Sequence, residues 1–152
     1  MAILLKHFIT CLNAFHFKEK CYKITNLKTT FIEEKYMSNA SLFAQFPGQG
    51  SQKIGMGVAL FEKYPLAQEY YKRAESKLGF SLYDICKDGP IEKLTMTEIA
   101  QPAILTVSAI VFELVKDKFN FKAGAGHSLG EYSALVAAGA ISYEDAVLVV
   151  HK

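Results

Sequence analysis

The segment from Gln101 to about Phe119 is apolar on nearly every side of the helix that its sequence predicts. Such a helix cannot lie at a protein surface, because any orientation would expose apolar side chains to water. We therefore expect it to be buried among other elements at the centre of a fold. A membrane span is not expected, because Thr106 and Ser108 interrupt its longest apolar run and Glu113 ends that run.

The elements predicted around this helix are short apolar strands and amphipathic helices. Strands are predicted over 41–46 and 122–126; besides the central segment, helices are predicted over 65–78, 81–86, 129–140 and from 143 onward. Without the short helix over 81–86, the order is strand, helix, helix, strand, helix, helix, which is typical of an α/β fold whose parallel strands are joined by helical crossovers. Two strands are fewer than the sheet of such a fold needs, so the sequence predicts part of a larger domain.

Charge divides the chain into two regions. Residues 1–36 carry six lysines and three glutamates, whereas the remainder carries 11 basic and 12 acidic residues. We expect residues 1–36 to be an extension that is unstructured or not native, with the true start at Met37. A weak targeting or membrane-surface segment and a structural arm are the alternatives.

Composition excludes several classes of protein. The remainder of the chain has no basic stripe interleaved with aromatic residues, which argues against nucleic-acid binding. The three cysteines of the whole chain, Cys11, Cys21 and Cys86, are too few and too scattered for a disulfide framework. They are expected to be reduced thiols of a cytoplasmic protein.

The run Gly-His-Ser-Leu-Gly at 126–130 fits the pattern G-x-S-x-G between a predicted strand and a predicted helix. A sharp turn at this place exposes the hydroxyl of Ser128, and its crowded flanks require glycine at both 126 and 130. The helix begins just after the serine, so free N–H groups, including that of Leu129, can point towards a developing oxyanion. The alternative is a glycine-rich turn whose serine merely caps the helix.

The general base for Ser128 is not evident in the sequence. His127 is adjacent to Ser128, and neighbouring side chains diverge on a tight turn, so it is a poor base. His7 and His16 lie in the first 36 residues, and His151 is either a solvated helix residue or a functional one.

Three motifs together resemble the malonyl-CoA:acyl carrier protein transacylases of fatty acid biosynthesis. They are Phe-Pro-Gly-Gln-Gly-Ser-Gln at 46–52, Gln-Pro-Ala at 101–103 and Gly-His-Ser-Leu-Gly-Glu-Tyr-Ser at 126–133. The resemblance extends from about Leu42 to Lys152. It implies a parallel-sheet, hydrolase-like α/β acyltransferase core, of which 37–152 would be the N-terminal part, with the family's ferredoxin-like subdomain absent.

The resemblance also implies an activity, which is transfer of malonyl from malonyl-CoA to the pantetheine thiol of acyl carrier protein through a serine ester. It implies that Ser128 is the nucleophile and that the main-chain N–H groups of Gln49 and Leu129 form the oxyanion hole. Gln101 and His127 would line the active site. Malonyl-CoA would be a substrate, and no cofactor or metal is expected.

In this family the base is a distant histidine, and an arginine that binds the malonyl carboxylate follows on the helix after the serine. Both would fall beyond Lys152. We therefore expect residues 1–152 alone to be inactive, and the complete protein to be a cytoplasmic monomer with no nucleic-acid or membrane partner.

Three alternatives to a transacylase of fatty acid biosynthesis remain open. They are a polyketide-synthase acyltransferase domain, an α/β-hydrolase esterase or thioesterase, and a non-catalytic module that binds acyl carrier protein.

Overall fold

A computed structural model describes residues 42–152, in which two strands and seven α-helices follow one another along the chain. The elements are β1 (Leu42–Phe46), α1 (Val58–Lys63), α2 (Pro65–Leu78), α3 (Leu82–Asp88), α4 (Ile91–Thr95), α5 (Thr97–Val115), a 3-10 turn (Lys116–Lys118), β2 (Phe121–Gly126), α6 (Gly130–Ala137) and α7 (Tyr143–His151). The predicted α/β class with parallel strands is confirmed. The predictions for residues 1–36 lie outside the described residues.

The two strands form a parallel pair that is joined by the crossover from α1 to α5. Phe46 is opposite Gly126, so the two strands end at the same edge of the sheet. Ala44 and Phe46 face the core, where the Phe46 ring lies 5.9 Å from that of Phe112 on α5. The register therefore brings together the two loops that carry the conspicuous motifs, the one after β1 and the one after β2.

Helix α5 is the central element of the described residues, as its apolar sequence predicts. It packs against α2, α4, α6 and α7, and ten of its residues are buried. Together with the 3-10 turn, α5 spans Thr97–Lys118, which by length and mean hydropathy (1.6) could cross a membrane; 56% of its most apolar 18-residue window is buried inside the protein. A buried core helix passes the same test of length and hydropathy, so the expectation that this segment does not span a membrane stays a prediction.

The start of α5 is the main difference from the predicted elements. Pro102 was expected in the first turn, where its missing N–H would have no cost, but the helix begins at Thr97 and Pro102 lies inside it. At its other end, helix α5 stops at Val115 and the 3-10 turn begins at Lys116. Helix α6 ends at Ala137, three residues before its predicted end. The short helices α1 and α4 were not predicted.

Other boundaries agree with the local signals in the sequence. Pro65 is the first residue of α2, and Gly79 ends that helix with a φ of 77°. The Ser142 hydroxyl accepts a hydrogen bond from the N–H of Asp145 at 3.1 Å, which caps α7 as the spacing predicts. These signals fix the first and last residues of α2 and the first residue of α7.

Candidate active site

Ser128 lies on a tight turn between the end of β2 and the start of α6, hereafter the elbow (residues 126–130). Its φ is 54°, and within residues 42–152 it is the one non-glycine residue with a positive φ. This conformation costs a residue with a Cβ about 1 kcal/mol or more, so it persists only where the surroundings impose it. The serine is exposed, which is the arrangement that a nucleophilic hydroxyl needs.

The two glycines of the elbow are required by the close approach of main-chain segments. A Cβ on Gly126 would overlap the carbonyl group of Gly130, and a Cβ on Gly130 would overlap the carbonyl oxygen of Phe46. Helix α6 therefore begins directly against the ends of both strands. This packing holds Ser128 in its strained conformation.

We expect Ser128→Gly to be more stable than Ser128→Ala by about 1 kcal/mol, because glycine adopts a positive φ without a Cβ clash. Both variants lack the hydroxyl, so their difference isolates the main-chain strain at residue 128. Urea unfolding of the two full-length variants measures it. Equal stabilities, or a more stable alanine variant, would show that the main chain at residue 128 is not strained.

The loop after β1 lies against the elbow. The His127 N–H donates to the carbonyl oxygen of Phe46 at 3.3 Å, and a Cβ on Gly48 would lie 2.5 Å from the carbonyl oxygen of His127. In the part of the chain that the structure describes, the N–H groups of Gln49 and Leu129 donate to no main-chain carbonyl. These are the two groups expected to form the oxyanion hole.

The structure brings the two predicted glutamines together. The side-chain amide of Gln101, on α5, donates to the Gln49 Oε1 atom at 3.4 Å. The Gln49 amide in turn donates to the Thr97 hydroxyl at 3.2 Å. Thr97 was not singled out from the sequence, although it precedes Gln101 by four residues and so shares its face of a helix.

The remaining predicted site residues occupy two different environments. His127 is exposed beside Ser128, whereas the side chain of Leu129 is buried in the core with only 3% of its surface exposed. Leu129 therefore anchors the elbow through its side chain, while its main chain follows directly on Ser128.

Cys86 is also buried, and burial raises the pKa of its thiol to about 12, so it is not a competing nucleophile.

His151 has a structural partner at the start of α5. Pro102 has no N–H, so it leaves the carbonyl of Glu98, four residues earlier, without its helical donor. The ring N–H at Nδ1 of His151 donates to this carbonyl oxygen at 2.8 Å, and its ring lies 5.7 Å from that of Phe80. His151 was expected to be either a solvated helix residue or a functional one. The structure instead gives it a packing role between α7 and the start of α5.

We expect His151→Leu to lower the free energy of unfolding by about 1–2 kcal/mol, because it leaves the half-buried carbonyl of Glu98 without a donor. The matched background is Pro102→Ala, which restores an N–H at residue 102. In that background the same leucine substitution is expected to cost clearly less. Equal costs in both backgrounds, measured by urea unfolding of the full-length protein, would contradict this role for His151.

Comparison with known proteins agrees with this fold. The chain belongs to the acyl transferase domain family, which matches residues 45–152. It is similar to the malonyl-CoA-acyl carrier protein transacylase of Bacillus subtilis strain 168, with 51% identity over 108 residues, covering 70% of this chain and 34% of that relative. The chain spans about a third of the length of the curated relatives it matches.

Solved structures give the same result. The structure is similar to the malonyl-CoA-acyl carrier protein transacylase of Coxiella burnetii, with a TM-score of 0.72 and 40% identity, covering 76% of this chain and 37% of that one. It is also similar to a malonyl transacylase solved with a holo acyl carrier protein of a type II polyketide synthase. The TM-score there is 0.70 and the identity 38%, covering 74% of this chain and 37% of that one.

Proposed function

We propose that this protein transfers a malonyl group from malonyl-CoA to the pantetheine thiol of acyl carrier protein, through an ester on Ser128, as a step of fatty acid biosynthesis. The observation that carries the proposal is the elbow, where an exposed serine with a φ of 54° lies between two sterically required glycines. Membership of the acyl transferase family and similarity to malonyl transacylases support the choice of reaction and substrates.

The proposed reaction has two halves with the same chemistry. The Ser128 hydroxyl attacks the thioester carbonyl of malonyl-CoA and loses its proton to a general base, which then protonates the departing coenzyme A thiolate. The thiol of acyl carrier protein next attacks the ester carbonyl, and the oxygen of Ser128 leaves with a proton. Each tetrahedral intermediate carries a negative oxygen, which the N–H groups of Gln49 and Leu129 would stabilise.

We further propose that the general base comes from outside residues 1–152. The contact of His151 with the Glu98 carbonyl supports this, because it gives that imidazole a structural role in the packing of α5 and α7. On this proposal, residues 1–152 alone form no Ser128 ester with malonyl-CoA, whereas the full-length protein does. Ester formation by the shorter polypeptide at a similar rate would mean that a base within it had been missed.

The alternatives differ in the fate of the acyl group. A transacylase gives malonyl acyl carrier protein, an esterase or thioesterase gives free malonate, and a binding module holds acyl carrier protein without forming an ester. Incubating the full-length protein with malonyl-CoA and holo acyl carrier protein, followed by mass analysis of all products, separates the three. Free malonate as the main product, or no ester at all, would refute the proposal.

A polyketide-synthase acyltransferase is the second candidate, because one similar solved structure is a complex with a polyketide-synthase acyl carrier protein. Offering the full-length protein equal amounts of a fatty-acid and a polyketide carrier protein tests this choice. We propose that the fatty-acid carrier protein is the faster substrate.

We also propose that the complete protein is a cytoplasmic monomer that needs no cofactor, metal, nucleic acid or membrane. The packing of α5 among α2, α4, α6 and α7 supports a role for this apolar helix within a folded core. Sedimentation of the full-length protein and its fractionation in cells test these points.

A further inference from the structure

We propose that Thr97 is a positioning residue for the oxyanion hole and acts through the side chain of Gln49. The inference rests on the proposed function, because the position of Gln49 affects catalysis only if its main-chain N–H contacts the oxyanion. Thr97 itself does not touch the reacting atoms on this proposal. Its effect is to hold the loop that carries one of the two donors.

The contacts form a chain from α5 to the loop. The Gln49 amide nitrogen donates to the Thr97 hydroxyl at 3.2 Å, and the Gln101 amide nitrogen donates to the Gln49 Oε1 atom at 3.4 Å. Both ends of the Gln49 amide are thus hydrogen-bonded to one face of α5, because residues 97 and 101 are four positions apart on that helix. We call this arrangement the glutamine clamp (Gln49, Thr97 and Gln101).

The loop needs such a clamp because glycines flank Gln49 on both sides. Glycine rotates more freely than other residues, and Gly50 already has a φ of 101°. Hydrogen bonds hold the flanks, from the Ser51 hydroxyl to the Gly48 carbonyl at 2.9 Å and from the Gly50 N–H to the Gln52 side chain at 2.7 Å. Among the side-chain bonds in this loop, those of Gln49 are the ones that connect it to a helix.

Thr97 is the more rigid of the two residues on α5 that contact Gln49. It is the first residue of the helix, and its β-branched side chain is restricted at χ1, whereas Gln101 has three rotatable side-chain bonds. Thr97 is exposed, so core packing does not explain a threonine there. The role of this side chain therefore lies in its hydroxyl, which accepts the hydrogen bond from Gln49.

The test compares Thr97→Val with wild type in the full-length protein. Valine keeps the shape of threonine but cannot accept the Gln49 hydrogen bond. We expect the rate constant of Ser128 ester formation, measured in a single turnover at saturating malonyl-CoA, to fall about 10-fold, which is less than the loss of a whole oxyanion donor. The malonyl-CoA concentration that gives half the maximal rate is expected to stay within about twofold, because substrate binding is not affected.

Two further variants separate positioning from a general structural role. Thr97→Ser restores the hydroxyl and is expected to restore the rate. Thr95→Val is the matched control, because the Thr95 hydroxyl donates to the Ile91 carbonyl at 2.6 Å within α4 and makes no bond to Gln49. In a Gln49→Met background, which already lacks the clamp, Thr97→Val is expected to have no further effect.

Hydrogen exchange of the peptide spanning 46–52 provides a readout that does not depend on activity. Its main-chain amides are expected to exchange faster in Thr97→Val than in wild type or Thr95→Val. Unchanged exchange, an unchanged ester rate, or a Thr97→Ser variant as slow as Thr97→Val would overturn the inference. If wild type forms no Ser128 ester, the proposed function fails, and the exchange comparison still decides whether Thr97 holds the loop.

Discussion

Gly126→Ala is expected to prevent stable folding, with a loss of more than about 4 kcal/mol in the free energy of unfolding. The reason is steric, because the added Cβ would overlap the Gly130 carbonyl group and approach the Glu131 nitrogen, both of which belong to the main chain. Main chain at the start of a helix cannot move aside as a flexible side chain can. Urea unfolding of the full-length variant, followed by circular dichroism, measures the loss.

Gly124→Ala is the matched control on the same strand. A Cβ on Gly124 would lie 3.5 Å from the Phe46 ring and 3.7 Å from the Ala44 carbonyl oxygen, which are ordinary contact distances. We therefore expect this variant to unfold within about 1 kcal/mol of wild type. Similar stabilities for the two alanine variants would contradict the close approach of α6 to the end of β2.

Ser128→Ala is expected to lower the rate of malonyl transfer to acyl carrier protein by about 10⁴-fold or more, the loss typical of removing a serine nucleophile. The fold is expected to remain, because serine and alanine both carry a Cβ and bear the same strain at a φ of 54°. The steady-state rate at which malonyl acyl carrier protein forms measures the effect.

Ser76→Ala provides the control for this loss of activity. Ser76 is an exposed serine on α2 whose hydroxyl donates to the Arg73 carbonyl at 2.7 Å, so its removal leaves the elbow unchanged. We expect this variant to retain the wild-type rate. A Ser128→Ala variant that also retained most of its activity would rule out Ser128 as the nucleophile.

The parts of the fold that could be predicted from sequence are those with a local chemical cause. Pro65 and Gly79 delimit α2 because one fits a first turn and the other adopts a positive φ beyond the last. Helices α1 and α4 have six and five residues, too few for an apolar period to be recognised. Their existence depends on packing against the rest of the chain.

The start of α5 shows why a local rule can fail. Proline inside a helix removes a hydrogen bond, so the sequence favoured a helix that begins at Gln101. The lost bond is replaced by His151, which is 53 residues away from Glu98 in the chain. A contact at that separation leaves no signal in the sequence around Pro102.

The candidate site divides in the same way. The elbow could be predicted from five consecutive residues, because its geometry dictates glycine, serine and glycine at fixed positions. The contact between Gln49 and Gln101 could not, since 52 residues separate them and it depends on how α5 packs beside the loop after β1. Thr97 was missed because an isolated threonine near a helix start is common and carries no signal of its own.

Peptide mapping of the trapped intermediate shows whether Ser128 carries the malonyl group. The full-length protein is mixed with malonyl-CoA without acyl carrier protein, quenched in acid, digested and examined by tandem mass spectrometry. We expect malonyl on the peptide that contains residues 126–130, with the modification on Ser128. Malonyl on another residue, or malonyl acyl carrier protein formed without any modified enzyme, would contradict it.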